Sequence, residues 1–479
     1  MSIPLHQTIR RLACPTAAFL ICLPGPAAAQ VVEVGLVART GEVAPGGDGT
    51  AISTLNSAFS NGLGDAGFTG GLESGERFVW SGAGIVWMNG LAKGVVLTGA
   101  ESTMGISDAG GFVYSPAVDG DDAVWSQAGL LQREPDPIPG TVQIWSSFNS
   151  RPTMAPNGTA FWVTGLAATP GGSTYGRGFM RCDDPTNPQN SELVIASGDA
   201  IEEGGDFYEI GTIGIGFAYG TSSDAQGLVL ILKMAGVPTT SDDFLYVNGT
   251  LREREGDPIS EGAIEKWGAF RGVGIDNEGT YLSFGPLTGG DAATSEYVAL
   301  DGEIIVREGD VVDGIELASG YAVRWAAIND EHQVVHVWES GSTAGTMFLT
   351  EFGPGGTTTR ALVSIGDQLD FDGDGVGDAT LTDFNVSSVV GPGIGLSNQP
   401  WAFTTVSVDS PELGIIDAVI RVPLSGGDSP ADLNGDGVVN GADLTILLSG
   451  WGGRGLPDLN GDGVVNGADL AILLSDWTG

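Results

Sequence analysis

The chain has 479 residues, 78 of them glycine, and its 60 acidic side chains against 19 lysines and arginines give a net charge of -41. A field of that sign repels nucleic acid and anionic lipid, so neither is expected as a main partner, whereas cations are. The glycines keep no three-residue period and charged residues make up only 16% of the chain, which excludes collagen and coiled coil.

Residues 1–29 read as an export signal. Arg10 and Arg11 precede an apolar stretch broken by Pro15, and Ala27, Ala28 and Ala29 form a small-residue cleavage site before Gln30. The apolar run is too short to span a membrane. The expected location is therefore outside the cell or at its surface, the periplasm included. Two of the three cysteines leave with the signal, so Cys182 stands alone and no intrachain disulfide is expected. The remaining histidines, His332 and His336, share one segment whose strand alternation predicts a common face. They read as ordinary surface or core residues, and their scarcity argues against a hydrolase that needs a histidine base. No catalytic residue is assigned.

Residues 30–424 repeat. Apolar segments ending in Gly-Asp or a relative of it recur at 37–46, 130–138, 194–201, 251–259, 305–312 and 362–369. From Asp136 the anchoring aspartates are Asp199, Asp257, Asp310 and Asp367, at spacings of 63, 58, 53 and 57. The longer interval from Glu42 to Asp136 has room for one more unit, near Leu97, Thr98 and Gly99. Inside each unit come a strand, an Asp/Asn-Gly hairpin as at 104–115, 154–164 and 273–284, and a second strand pair around a turn as at 244–255 and 297–308. Asn-Gly and Asp-Gly supply the positive φ that two-residue hairpins need. Units of four antiparallel strands at such a period predict an all-β fold, a β-propeller of about seven blades. Residues 31–40 are expected to close the ring by pairing with the last strand, 415–422. These "NG…REGD" units resemble tandem-repeat propeller proteins secreted by bacteria, a resemblance that implies no activity.

The repeated aspartates read as turn residues accepting backbone hydrogen bonds. Trp87, Trp125, Trp162 and Trp338 lie within strand patterns and are expected in the core. The segment 276–281 has one residue too many between Asp and Gly for a sialidase-type Asp-box. A further acidic loop places Asp370, Asp372, Asp374 and Asp378 where they could converge on one calcium ion, although the twelfth position is Leu381 and the next acid is Asp383.

A small polar linker, 425–431, leads to two near-copies of one segment at 432–479, offset by 26 residues. Oxygen-bearing side chains occupy loop positions one, three, five, nine and twelve: Asp432, Asn434, Asp436, Asn440 and Asp443, then Asp458, Asn460, Asp462, Asn466 and Asp469. The carbonyls of Val438 and Val464 fall at position seven, and Gly437 and Gly463 stand at the sharp turn, so each loop is expected to hold Ca2+. A short apolar helix follows each loop, and none can precede the first. The duplication and the missing entering helix resemble the type I dockerin module. That resemblance implies a calcium-folded module docking onto a cohesin-like domain, often in systems that degrade polysaccharide. The short repeat spacing and the glycine-alanine pairs 441–442 and 467–468 depart from the family pattern, so calcium binding follows more directly than cohesin docking. The expected function is a secreted binding or scaffold propeller held in an extracellular assembly by this tail, with a carbohydrate as its ligand. The alternative is a glycoside hydrolase carrying a dockerin.

Overall fold

The structure is a computed structural model. It describes residues 30–477 except 93–94, 99–102, 147–150, 204–205, 214–218, 342–343, 354–355, 386–394, 425–430, 432, 434–438, 455–456 and 461–462. The signal sequence predicted at 1–29 lies outside the described residues.

Seven antiparallel sheets make a seven-bladed β-propeller. The third blade shows the plan: an inner strand in two pieces, Ile144–Ser146 and Thr153–Met154, then Ala160–Ala167, Gly176–Cys182 and the outer strand Ser191–Ala196. Both inner pieces pair with the same second strand, so the interruption leaves the sheet whole. The interval from Glu42 to Asp136 contains two blades, and Leu97 and Thr98 lie on an inner strand of the second, Val95–Thr98.

The outer strands of the third to sixth blades end in the repeated Gly-Asp turn, and the chemistry is local. Gly198, Gly256, Gly309 and Gly366 all have φ between 86° and 100°, a conformation that glycine adopts without Cβ strain. The aspartate reaches back to the backbone three residues earlier: Asp199 accepts from the N–H of Ala196 at 2.7 Å, Asp310 from Arg307 at 2.9 Å and Asp367 from Ser364 at 2.7 Å. The turn also binds the next blade, since Gly309 donates to the Leu317 carbonyl and Leu317 donates back to Asp310. These aspartates are structural, as their spacing predicts.

The seventh blade closes the ring with strands from both ends of the propeller. Its inner strand Ala379–Phe384, second strand Trp401–Ser410 and third strand Gly414–Pro423 come from the C-terminal side, and Gly35–Arg39 supplies the outer strand. The segment Val31–Glu33 adds a parallel pairing with Gln368–Asp370. The predicted closing strand therefore pairs with the predicted partner, which removes the free edges an open row of sheets would expose.

The cores lie between blades. Trp125, Trp162 and Trp338 are buried, while Trp87 is half-buried with its ring 4.8 Å from that of Tyr114. Glycines let the inner strands approach: a Cβ on Gly220 would meet the Gly274 backbone at 2.8 Å, and one on Gly105 would overlap the Met154 backbone. Beyond the propeller, two helices, α1 (Gly441–Ser449) and α2 (Gly467–Ser475), pack together at the C-terminal end. Among the described residues no helix is long and apolar enough to cross a membrane.

Candidate functional site

Turns carrying an aspartate or asparagine join inner to second strand in every blade, which gathers their side chains at one mouth of the central channel. Here the residues do more than turn the chain. Asp108 accepts from the Leu63 N–H of the preceding blade at 3.2 Å, and its own N–H donates to the Pro156 carbonyl of the following one at 2.9 Å. Asn157 donates through Nδ2 to the Asp224 carbonyl at 2.7 Å, and the Asp224 N–H donates to Asn277 Oδ1 at 3.0 Å. The Asn277 N–H donates to Asp330 Oδ1 at 2.9 Å, and the Asp330 N–H to Asn398 Oδ1 at 3.0 Å. A belt of Asx side chains thus links neighbouring blades around the axis.

Asp330 is its hub. Besides the Asn277 N–H, its carboxylate accepts from Asn277 Nδ2 at 2.8 Å, Asn398 Nδ2 at 2.6 Å and the Ser223 hydroxyl. Burial pushes the Asp108 carboxyl up from its ordinary pKa, against the backbone bonds from Gly62 and Leu63 that lower it. Between these turns and the inner strands is a cavity of about 140 Å³, whose wall includes Ser60, Asn61, Thr153, Thr221, Ile328 and Leu396. Among the described residues the buried Ser60 hydroxyl has no hydrogen-bond partner. The wall offers hydroxyls, amides and apolar carbons together with the Asp330 carboxylate, a chemistry suited to a polar ligand that donates hydrogen bonds.

The histidines part company. His332 sits in a hairpin turn with φ 54°, its Nδ1 at 2.8 Å from buried Asp276 and its Nε2 at 3.3 Å from Glu278. His336 is buried on the second strand Val334–Ser340 of the sixth blade, accepting from Trp338 Nε1 at Nδ1 (2.8 Å) and facing Thr350 Oγ1 from Nε2 (2.9 Å). The expected common face is corrected, because the turn takes His332 out of the strand alternation. Burial pushes the His336 imidazole down to about 3, so it stays neutral at ordinary pH.

Of the acidic loop, Asp370, Asp372 and Asp374 each bring a carboxylate oxygen within 4.8 Å of the others. Asp370 is buried and accepts from the N–H groups of Gly373 (2.8 Å) and Gly375 (2.7 Å). The hydrogen bond from Asp374 lowers the Asp372 pKa, yet the charges of Asp374, Asp378 and Asp370, with some desolvation, leave it raised. Asp378 instead accepts from the Phe371 N–H at 2.8 Å.

In the tail, Asp432, Asn434, Asp436, Val438 and Asp462 lie outside the described residues. The others are placed, and the two caps and helices are alike. Asn440 and Asn466 cap α1 and α2 with the same backbone angles, φ -150° and ψ -160°. The twelfth-position carboxylates, Asp443 and Asp469, are fully buried and close a capping box on the asparagine N–H at 2.8 Å and 2.7 Å. Asp469 also accepts from the Asn460 N–H at 3.2 Å, Asp458 from the Gly463 N–H at 2.6 Å, and the Val464 carbonyl from Asn466 Nδ2 at 2.7 Å. Positions one, three, seven, nine and twelve of the second loop are thereby drawn around one turn.

Three features escape the sequence because separate strands build them. Lys233 lies between Asp242, at 3.2 Å, and Asp243, so that acidic cluster already holds a cation. Glu339 is buried beside Arg324 (Nε to Oε2 2.9 Å) while its Oε1 has no hydrogen-bond partner among the described residues; burial, with Asp383 nearby, pushes it up to about 7 against the pull of Arg324. The third is Arg421, which pairs with Gly35 where the ring closes and stacks on the Trp401 ring, 4.8 Å from its centroid.

No family model matches this chain, and no curated protein matches it. Among solved structures it is similar to a polysaccharide lyase, an ulvanlyase, at 9% identity over 82% of this chain and 96% of that one, TM-score 0.35. It is similar to Penicillium chrysogenum alpha-L-arabinanase complexed with arabinobiose, at 12% identity over 67% and 93%, TM-score 0.30. It is also similar to prolyl oligopeptidase B from Galerina marginata, at 12% identity over 77% of this chain but 51% of that one, TM-score 0.39, so it spans about half that protein's length. Likenesses this distant carry no argument about activity, and the seven-bladed β-propeller rests on the chain's own sheet order.

Proposed function

We propose that this chain is an exported binding or scaffold propeller whose C-terminal loops take two calcium ions and attach it to an extracellular assembly through a cohesin-like partner. The observation that supports the calcium part is the likeness of the two loop ends: identical cap angles, and at each a fully buried carboxylate at position twelve. Buried carboxylates are costly unless paired or coordinated, and oxygen donors from alternate positions suit calcium. Asp458, Asn460, Val464, Asn466 and Asp469 would hold one ion, and their counterparts in the first loop the other. Bound calcium would neutralise these carboxylates. The loop of Asp370, Asp372, Asp374 and Asp378 is a further calcium candidate of the same donor chemistry. For the propeller, the hydroxyl and amide wall of the channel mouth supports a carbohydrate ligand.

Calorimetric titration of the full chain tests this reading. Two calcium ions per chain from the tail are expected, one lost in Asp458→Ala; no calcium binding would end it. Retention on insoluble polysaccharide without release of reducing sugar is the expected companion result.

The second reading is hydrolysis of a glycosidic bond, in which Glu339, buried beside Arg324 and outside the lining of the channel-mouth cavity, would have to reach the substrate. A carboxyl group raised to about 7 can donate a proton at neutral pH, as a general acid does. Release of reducing sugar by the native chain and its loss in Glu339→Gln would establish that reading, and release unchanged in that variant would remove Glu339 from it.

A further inference from the structure

The cavity at the channel mouth is walled on all sides. Ser60, Thr153, Thr221, Ile275, Ile328 and Leu396 line it from inner strands of six different blades, the second blade alone not contributing. Where a gap between blades would open, the strands meet backbone to backbone: a Cβ on Gly105 would overlap Met154, and one on Gly220 would stand 2.8 Å from the Gly274 Cα.

At the rim the belt of turns runs the whole way round. Asn61 Nδ2 donates to the Ser107 carbonyl at 3.2 Å between the first and second blades, and the links from Asp108 to Asn398 carry the belt on to the seventh. Between the seventh and the first, a Cβ on Gly64 would stand 3.4 Å from the Gln399 Cβ, which is ordinary contact. Among the described residues these contacts leave the propeller axis as the way in.

Size and charge narrow the occupant. The volume is about 140 Å³, and a cavity of about 150 Å³ holds one six-membered ring. Asp330 on the wall and the net charge of -41 disfavour an anionic ring. An interior unit of a polymer carries a neighbour on each side and needs a groove open at both ends, whereas a terminal unit needs a single opening.

We propose that the channel mouth recognises the terminal unit of a neutral glycan, one sugar ring entering along the axis, and not the interior of a chain. This inference rests on the carbohydrate reading of the propeller. Chain length beyond the entering unit then adds little to affinity, and the identity of the end decides binding.

The test is calorimetric titration of the full native chain with neutral linear oligosaccharides of glucose, xylose, mannose or arabinose, from one unit to six. For a sugar that binds, the six-unit chain should bind within about threefold of the two-unit chain. A bulky aryl cap on one end of the six-unit chain should abolish binding, and the same cap on the other end should leave it unchanged. Thr221→Phe, which places a ring inside the cavity, should weaken binding by at least about tenfold. If that variant fails to fold, the length series and the two caps on the native chain decide the matter. Affinity that climbs about tenfold or more from two units to six, binding that survives both caps, or native binding by a folded Thr221→Phe chain overturns the proposal and leaves the carbohydrate reading intact. No binding of any of these sugars by the native chain overturns both.

Discussion

The propeller mouth and the C-terminal tail are built from the same kinds of residue, asparagine, aspartate and glycine in tight turns, and use them in opposite ways. At the mouth, side-chain oxygens reach outward to the N–H groups of the preceding blade, as Asn277 does for Asp224 and Asp330 for Asn277. In the tail the carboxylates of Asp458 and Asp469 turn inward onto their own loop. An oxygen spent on a neighbour's N–H stitches a ring; oxygens converging within one turn concentrate negative charge that a cation relieves. Turn composition alone does not separate these outcomes.

The largest pH-dependent effects belong to the propeller core. His336 belongs to the propeller core, and its folded pKa of about 3 lies below the ordinary value of 6.5, so the unfolded chain binds the extra proton. Stability contributed by its neutrality is present above 6.5 and lost as pH falls toward 3, reaching on the order of 5 kcal/mol. Glu339 acts with the opposite sign: its folded pKa, about 7 against an ordinary 4.5, makes stability fall as pH rises between those values. The two slopes therefore oppose each other from 4.5 to 6.5. Chemical denaturation followed by tryptophan fluorescence should show a nearly flat profile there, and Glu339→Gln should expose a steep rise with pH.

The next effect is at the hub. Asp330→Ala leaves the Asn277 N–H and the amides of Asn277 and Asn398 without their acceptor, and should cost about 3 kcal/mol in propeller stability. Calcium stoichiometry should not change; a calorimetric loss of an ion in this variant would erase the distinction between the two regions.

In the tail, Asp469→Ala should abolish one calcium ion. At calcium a hundredfold above its dissociation constant, the stabilisation forgone is about 2.7 kcal/mol, read as the difference in calcium-induced melting shift of the tail. Smallest is Asn157→Ala, which deletes one inter-blade bond to the Asp224 carbonyl and should cost about 1 kcal/mol in a denaturant titration. A cost equal to that of Asp330→Ala would show that the belt acts as one cooperative unit with no hub.

Much of the fold was legible because its signals are local. The Gly-Asp turns announce themselves through residues that need positive φ and an acceptor three residues away, and their spacing counts the blades. The closing strand could be read from an N-terminal apolar segment that had no other partner. The histidines misled because alternation holds only within a strand, and His332 lies in a turn.

By itself the sequence determined the repeat and the two copies of an oxygen-rich loop, since each depends on residues close together in the chain, and it pointed to the ring's closure through two end segments left without a neighbour to pair with. Only the tertiary structure decided that the hairpin asparagines and aspartates link blades, that Glu339 loses its solvent, and that Arg421 stacks on Trp401 at the seam of the ring. Those contacts join residues tens to hundreds of positions apart. Their energies come from burial and from neighbours supplied by other blades, and no local pattern encodes which neighbour a side chain will find.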